Sequence, residues 1–212
     1  MYGKQRNRSR NTKRSVRWKT SFQSPSRGRR LRRRDWTVST VRYLTDEADH
    51  LFNQLEEEEV EYFSAKLQVY GKSYNVPRKQ ATYSDEVLMY SFSGAHLLAK
   101  PWTPTLEHIR DAVTKATGHT FNFVLINRYK EGHDHIGEHR YDKRELDPDL
   151  FKRQIEPVKL ELAHGSLLLM NYPTNTYYNH SLPVRKKVKI PCINLTFRRI
   201  VKNKQKTASL AS

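Results

Sequence analysis

The sequence contains a single cysteine, Cys192, and no apolar run long enough to cross a membrane. One cysteine cannot form an intramolecular disulfide, which is typical of a protein in a reducing compartment. The first residues also lack the apolar segment of a secretory signal peptide. We therefore expect a protein that acts inside the cell and away from membranes.

Acidic residues are absent from the first 34 positions, which hold 14 of the 39 Lys and Arg residues. Few aliphatic residues and strong self-repulsion predict that residues 1–36 form a disordered basic tail. Its densest run, RGRRLRRR, is typical of a nuclear-import or nucleic-acid-anchoring arm. A solvated polycation and a mitochondrial presequence are the alternatives.

The rest of the chain carries 25 basic and 22 acidic residues, so its charge is close to neutral. With 212 residues and 36% hydrophobic content, the chain can build one sizeable core. We predict one domain over residues 37–202, followed by a C-terminal tail over residues 203–212.

Helical spacing predicts two helices that back a β-core. Residues 45–47 would cap the first helix, whereas Thr103 and Pro104 would open the second and Gly118 would end it. The apolar positions of the two helices are Ala48, Leu51, Phe52, Leu55, Leu106, Ile109 and Val113.

Alternating and continuous apolar segments predict strands in four places. Residues 66–83 alternate around Gly71 and include Pro77, which indicates a hairpin near a sheet edge. Residues 89–94 and 167–170 are short strand candidates. A longer strand is expected after residue 120, where Phe121, Phe123, Leu125 and Tyr129 form a β-rich run.

Chemistry is expected in residues 121–142, where that strand runs into histidines and acids. Residues 130–132 would end the strand, and Gly137 would let the backbone turn between the histidines. The cluster consists of His133, His135 and His139. Imidazole is a common ligand of iron, zinc and copper, although histidines in polar loops are also found solvated or bonded to carboxylates. We expect His180, after the strand at 167–170, to meet the cluster.

Six strings of the sequence together resemble the AlkB family of iron(II) and 2-oxoglutarate dioxygenases: NFVLINRYK, HIGEHR, PRKQATY, LAHGSLLLMN, NHSLPVRKKV and NLTFR. The likeness covers about residues 41–201 and is nearest to the nuclear member that repairs alkylated bases in duplex DNA. It implies an α+β protein with a double-stranded β-helix (jelly-roll) core and flanking helices. Family members carry a further strand pair where this chain has the short segment 149–157.

The resemblance implies that His139 and His180 hold the iron. The carboxylate ligand of the family lies two residues after His139, where this chain has Tyr141. A neutral phenol is a weak ligand for iron(II), because it must first lose a proton. Asp142 is adjacent, but strand alternation turns it the other way, and its position in the family contacts substrate.

The resemblance also implies a 2-oxoglutarate site. Its residues would be Asn127, Tyr129, Asn194, Thr196 and Arg198. In the family, two arginines in an RxNxTxR pattern clamp the cosubstrate carboxylates, and Cys192 stands here in place of the first. Losing one such charged contact costs about 1.5–3 kcal/mol.

The resemblance further implies a set of residues that contact DNA. Val69 and Tyr70, with Gly71 and Lys72, match an apolar wedge that fills the gap left by an extruded base. The remaining positions are Arg78 on the basic hairpin, the base-pocket residues Tyr90, Ser91 and Phe92, and the phosphate-gripping residues Arg185, Lys186 and Lys187.

The function implied is that of a nuclear, monomeric DNA-repair demethylase. It would use iron(II), oxygen and 2-oxoglutarate to remove N-alkyl groups from 1-methyladenine and 3-methylcytosine, with duplex DNA as partner. The alternative is a catalytically impaired AlkB-like nucleic-acid-binding protein, because Tyr141, Cys192 and segment 149–157 all bear on catalysis. A third interpretation is an unrelated zinc-binding or RNA-binding protein. Iron-dependent succinate formation would separate the first from the others.

Overall fold

The computed structural model describes residues 18–23, 38–42, 46–57, 60–86, 88–92, 95–139, 158–170 and 179–201. These ranges hold two helices, α1 (Ala48–Glu57) and α2 (Pro104–Thr117). The strands that precede α2 are β1 (Trp18–Gln23), β2 (Val38–Arg42), β3 (Lys66–Val69), β4 (Lys72–Asn75), β5 (Lys79–Ser84), β6 (Met89–Phe92) and β7 (Ala95–Leu98). Those that follow it are β8 (Phe123–Tyr129), β9 (Ile136–His139), β10 (Val158–Leu162), β11 (Ser166–Met170), β12 (Asn179–Leu182) and β13 (Cys192–Arg198).

The named strands pair antiparallel throughout. One sheet has the order β10-β1-β12-β9, a second has the order β13-β8-β5, and three strand pairs join β11 to β2, β3 to β4 and β6 to β7. Antiparallel sheets with separate helices define an α+β protein, as the family resemblance implied.

Helix α2 begins and ends where its local sequence predicts. Thr103 Oγ1 accepts a hydrogen bond from the Leu106 amide (3.4 Å), and Pro104 occupies the first turn, where its missing N–H costs nothing. Gly118 ends the helix with φ 71°, and its amide donates to the Thr114 carbonyl. Leu106, Ile109 and Val113, predicted as the apolar stripe, are buried.

Strand β8 lies at the centre of the three-stranded sheet and is buried on both faces. Val124 and Ile126 face the helices, where they join a core cluster with Leu51, Leu55, Leu106 and Ile109. Phe123 and Leu125 face the other way and pack with Leu97 of β7. Because one face of the sheet is covered by helices, the opposite face is the one that can carry a site.

Strand β1 lies inside the segment that composition predicts to be disordered. Its backbone pairs with β10 on one side and β12 on the other. The prediction of disorder for residues 1–36 therefore does not hold for Trp18–Gln23. Sheet pairing outweighs the polycationic composition there, because WKTSFQ holds one of the 14 basic residues and contains Trp18, Thr20 and Phe22, which are residue types enriched in strands.

Gly137 lies within β9, without a positive φ, so the prediction that it turns the backbone between the histidines is wrong. The chain turns earlier, at residues 131–133. Several predictions fall outside the described residues: the cap residue Thr45, Tyr141 and Asp142, segment 149–157, the rest of residues 1–36 and the tail 203–212. In the described part, neither helix has the length and apolar character needed to span a membrane.

Candidate active site

Two predicted ligand residues face each other across neighbouring strands. His139 ends β9 and is the cross-strand partner of His180 in β12. Their ring centroids lie 4.0 Å apart with the rings tilted by 52°. The structure thus brings together two histidines that are far apart in the sequence. His133 does not join them, since its Nδ1 lies 3.0 Å from Glu131 Oε1 on the surface.

Both rings are held in the neutral form that binds metals. Burial lowers the pKa of His180 to about 3, with smaller contributions from His139 and Arg198. Burial also lowers the pKa of His139, assisted by the positive charges of Arg78 and Arg198. His139 Nδ1 lies 3.0 Å from the Gly137 carbonyl, to which it donates when Nδ1 carries the proton. That tautomer leaves the lone pair on Nε2, as a metal ligand requires.

His139 and His180, the predicted ligands that the structure describes, fit an iron site. Two neutral imidazoles on adjacent strands are the nitrogen part of a two-histidine, one-carboxylate triad. Among the described residues no group of three or more His, Cys, Asp or Glu side chains could hold a metal ion. The predicted position of the third ligand, Tyr141, and its neighbour Asp142 lie outside that part of the chain.

The predicted cosubstrate residues share the sheet face opposite the helices. On β8 they are Asn127 and Tyr129, which pair with Asn194 and Cys192 of β13. Side chains of antiparallel partners lie on the same side, and alternation adds Thr196 and Arg198 to that side. Thr196 Oγ1 donates to Asn194 Oδ1 (3.2 Å). This face therefore presents a hydroxyl, amides and one guanidinium toward the histidine sheet.

Contacts between the two sheets bring that face close to the histidines. Tyr129 and Leu182 form a small core cluster with Ile136 and Cys192, so residues of β8, β9, β12 and β13 meet. Arg198 also influences the pKa of both His139 and His180. Burial raises the pKa of Tyr129, which keeps its phenol neutral and able to donate a hydrogen bond.

Asn127 accepts two hydrogen bonds beside the predicted cosubstrate residues. Arg78 Nε (2.8 Å) and Gln80 Nε2 (2.9 Å) both donate to its Oδ1. Gln80 is fully buried, and its Oε1 accepts no hydrogen bond in the part of the chain that the structure describes. Gln80 was not predicted from the sequence. Its position opposite Asn127 on β5 could have been found only from the strand pairing.

Arg78 is half-buried, although the sequence suggests an exposed residue of a basic hairpin. Besides Asn127, its Nη1 donates to the His135 carbonyl (3.2 Å). Burial lowers the pKa of its guanidinium, and the neighbouring Tyr129 and Asp134 oppose that shift. Its contacts join the strand of the cosubstrate face to the loop that leads into the histidine strand.

Two turns carry residues that the resemblance assigns to DNA contact. At the tip of the β3–β4 hairpin, Tyr70 has φ 48° and Gly71 has φ 75°, and the Tyr70 side chain is fully exposed (101%). Residues 185–188, here called the basic turn, are closed by a hydrogen bond from the Val188 amide to the Arg185 carbonyl (2.8 Å). Lys72, Lys186 and Lys187 are exposed, whereas Arg185 is half-buried.

The remaining predicted contact residues are seen only as backbone. Tyr90, Ser91 and Phe92 lie on β6, which pairs with β7, and Val69 ends β3. The structure describes no side chain at these four positions. Their predicted roles in the base pocket and in the wedge therefore stay predictions.

Paired neutral histidines beside a polar sheet face supply the nitrogen part of a non-haem iron(II) site. Residues 38–151 match the model of the 2OG-Fe(II) oxygenase superfamily. This class uses iron(II) and 2-oxoglutarate, as its name states, so the chain is an iron(II)- and 2-oxoglutarate-dependent oxygenase with those cofactors.

Comparison with known relatives identifies the family within this superfamily. The mouse protein "DNA oxidative demethylase ALKBH2" is 52% identical over 193 residues, which cover 78% of this chain and 80% of the relative. The human protein of that name is 53% identical, with coverage of 78% and 74%. Human "Alpha-ketoglutarate-dependent dioxygenase alkB homolog 3" is 29% identical, with coverage of 60% and 53%. The chain belongs to the AlkB family, which confirms the resemblance seen in the sequence.

Proposed function

We propose that this chain is an oxidative demethylase of N-alkylated bases in DNA, with 1-methyladenine and 3-methylcytosine in duplex DNA as substrates. The observation that carries the proposal is the facing pair His139 and His180 beside a polar sheet face, in a chain 52% identical to a DNA oxidative demethylase. A double-stranded β-helix core, a monomer and a nuclear location belong to the same proposal. The exposed lysines and the basic first 34 residues support a nucleic-acid partner.

His139 and His180 would hold the iron through neutral imidazoles. Arg198 would pair with a carboxylate of 2-oxoglutarate, and a guanidinium suits this role because it binds carboxylates in a bidentate geometry. Asn127, Tyr129, Asn194 and Thr196 would complete the cosubstrate site with neutral hydrogen bonds. Iron with 2-oxoglutarate and oxygen supplies the oxygen atom that is inserted into a C–H bond of the N-alkyl group.

The chain's other residues would present the base. Tyr70 would enter the gap left by the extruded base, with Val69 beside it and Lys72 near the DNA backbone. Tyr90, Ser91 and Phe92 would line the base pocket, and Asp142 would contact the substrate. Arg185, Lys186 and Lys187 would grip phosphates without reading sequence. The hydroxymethyl group left on the base then breaks away as formaldehyde, which restores the base.

A turnover assay tests the proposal. The full chain is incubated with a duplex oligonucleotide that carries one 1-methyladenine, together with iron(II), oxygen and 2-oxoglutarate. We expect repaired adenine, formaldehyde and succinate in equal amounts, and none of them with His180→Ala. Duplex binding without any of these products would overturn the proposal in favour of a binding protein. A matched Tyr141→Asp variant shows whether the missing carboxylate limits the rate.

A further inference from the structure

Gly132 lies in the loop that connects β8 to β9, residues 130–135, here called the connecting loop. Its amide donates to the Val188 carbonyl (2.9 Å), and its carbonyl accepts from the Arg185 amide (2.6 Å). This reciprocal pair of backbone hydrogen bonds fastens the connecting loop to the basic turn. The two segments are far apart in the sequence, and these two hydrogen bonds hold them next to each other.

Only glycine fits at this contact. A Cβ atom added to Gly132 would overlap the carbonyl oxygen of Arg185 and would lie 2.6 Å from its carbonyl carbon and 3.0 Å from the Val188 oxygen. The obstacle is backbone on the other side of two hydrogen bonds, so no side-chain rotation can relieve it. Any larger residue must move the basic turn away from the connecting loop.

The connecting loop is also fastened to the base of the β3–β4 hairpin. The His135 amide donates to the Pro77 carbonyl (3.1 Å), and Arg78 Nη1 donates to the His135 carbonyl (3.2 Å). Val76 follows β4, and its amide donates to the Ala65 carbonyl (2.8 Å), which closes the hairpin at its base. The hairpin that carries Tyr70 therefore shares its anchor with the connecting loop.

Two hydrogen bonds within the connecting loop constrain its shape. The Lys130 amide donates to Asp134 Oδ2 (2.7 Å), and the Asp134 amide donates to the Glu131 carbonyl (3.1 Å). Both bonds are local and hold the loop in one shape. Since β9 starts at Ile136, the loop also sets where His139 lies.

We infer that Gly132 is a positioning residue that holds Lys186 and Lys187 of the basic turn at a fixed distance from the iron histidines and the Tyr70 hairpin. This inference rests on the proposed function, because the lysines matter only if they bind phosphate. The phosphates of a duplex lie at fixed spacing. Lysines that are already held in place therefore bind more tightly than freely moving lysines, which lose conformational entropy when they bind. Gly132 acts through the backbone and touches neither DNA nor metal.

The test uses metal-free full-length protein and a fluorescent duplex, with anisotropy measured at several salt concentrations. Gly132→Ala should weaken duplex binding about tenfold and reduce the salt slope by about one to two, since up to two phosphate contacts are lost. Cobalt(II) titration should give an affinity within about twofold of the unmodified chain, because the anchor on Pro77 and Arg78 stays intact.

Gly137→Ala is the matched control. It lies five residues further on, and a Cβ atom added there would meet no other atom within 4 Å, so its duplex affinity should equal that of the unmodified chain. A Gly132→Ala variant with unchanged affinity and slope would overturn the inference. So would an equal loss in both alanine variants, because the effect would then not depend on the contact with the basic turn.

The double variant Lys186→Ala/Lys187→Ala shows whether a negative result contradicts the positioning role of Gly132 or the phosphate-gripping role of the basic turn. If the double variant weakens binding and Gly132→Ala does not, the positioning role is wrong while the basic turn still binds DNA. If neither changes binding, the phosphate-gripping role fails, and the positioning role fails with it. Should Gly132→Ala not fold, hydrogen exchange on the unmodified chain decides. Protected amides at Gly132, Arg185 and Val188 are expected, and rapid exchange at Gly132 and Arg185 would contradict the inference.

Discussion

Cys192 begins β13 directly opposite Tyr129, on the sheet face proposed to bind 2-oxoglutarate. Burial raises the pKa of its thiol to about 12, so Cys192 stays a neutral thiol at physiological pH. A neutral thiol is a weak hydrogen-bond donor and carries no charge. Arg198 is consequently the guanidinium that this face of β13 offers to a carboxylate.

Replacing Cys192 with arginine should strengthen cosubstrate binding. A second charged contact is worth about 1.5–3 kcal/mol, so the Kd of 2-oxoglutarate should fall by roughly one to two powers of ten. Titration calorimetry of the iron-loaded chain without oxygen measures this. Cys192→Met fills similar space without charge and should leave the Kd unchanged. Equal tightening in both variants would mean that packing, and not charge, limits the site.

Cys192 should also weaken the fold at alkaline pH. The unfolded thiol ionises near pH 8.5, whereas the folded thiol keeps its proton to about pH 12. The unfolded state therefore loses its proton first, and the free energy of unfolding falls as pH rises above about 8.5, by at most about 1.4 kcal/mol per pH unit. Thermal unfolding between pH 7 and 10 should decline less steeply for Cys192→Ser. Parallel declines would remove Cys192 from the pH dependence.

At the scale of elements, the β3–β4 hairpin pairs an unfavourable turn residue with an exposed aromatic ring. Positive φ at both turn residues matches the twist of a two-residue hairpin, and asparagine followed by glycine is the usual choice. Tyr70 at φ 48° instead costs about 1–2 kcal/mol. Strain retained at a fully exposed ring supports the binding role proposed for Tyr70.

Substitutions at Tyr70 should separate stability from binding. Tyr70→Asn should raise the thermal midpoint, because asparagine adopts the left-handed conformation more easily. The same variant should bind a duplex with a mismatched base less tightly, while Tyr70→Phe keeps the affinity because it keeps a stacking ring. Fluorescence anisotropy with duplex and single-stranded probes measures both. Equal losses on the two probes would make Tyr70 a general stacking residue instead of a wedge.

For the whole molecule, the basic N-terminal segment combines two roles that composition alone does not separate. Its charge supplies most of the net charge of +17. Its strand β1 lies next to β12, with residue 22 paired to His180. The segment therefore adds attraction for a polyanion and a neighbour for the strand that carries a proposed iron ligand.

Two truncations should separate these roles. A chain that begins at Trp18 loses 7 basic residues but keeps β1, so its duplex affinity should depend less on salt while its thermal midpoint stays unchanged. A chain that begins at Pro25 also loses β1, so its thermal midpoint and its cobalt(II) affinity should both fall. Identical midpoints and metal affinities in the two truncations would show that β1 contributes nothing to the histidine sheet.

The parts predicted from sequence are those whose cause is local. The cap Thr103, the proline after it and Gly118 fix the ends of α2, and the apolar run of β8 fixes a buried strand. The juxtaposition of His139 and His180 was expected mainly from family resemblance. No local pattern reveals it, because it arises from the pairing of β9 with β12.

What the sequence did not predict depends on distant contacts. In the sequence, Gln80 is one polar residue of a predicted hairpin. Only the pairing of β5 with β8 shows that Gln80 lies beside Asn127. Gly132 and Gly137 look alike in the sequence, yet an added Cβ atom would collide with another segment at Gly132 and would meet nothing within 4 Å at Gly137. Strand β1 was not predicted because charged residues dominate the composition of the segment around it. Each case needs the partner segment to be known before the residue can be interpreted.

The order β10-β1-β12-β9 has a consequence for biosynthesis. Strand β1 leaves the ribosome before its partners, residues 158–162 and 179–181, have been translated. During synthesis the segment has no native neighbour, and such long-range pairing makes folding slow. We expect the histidine sheet to close only after translation has passed β12. Until then the nascent chain presents an unpaired strand flanked by arginines, for which nucleic acids and chaperones can compete.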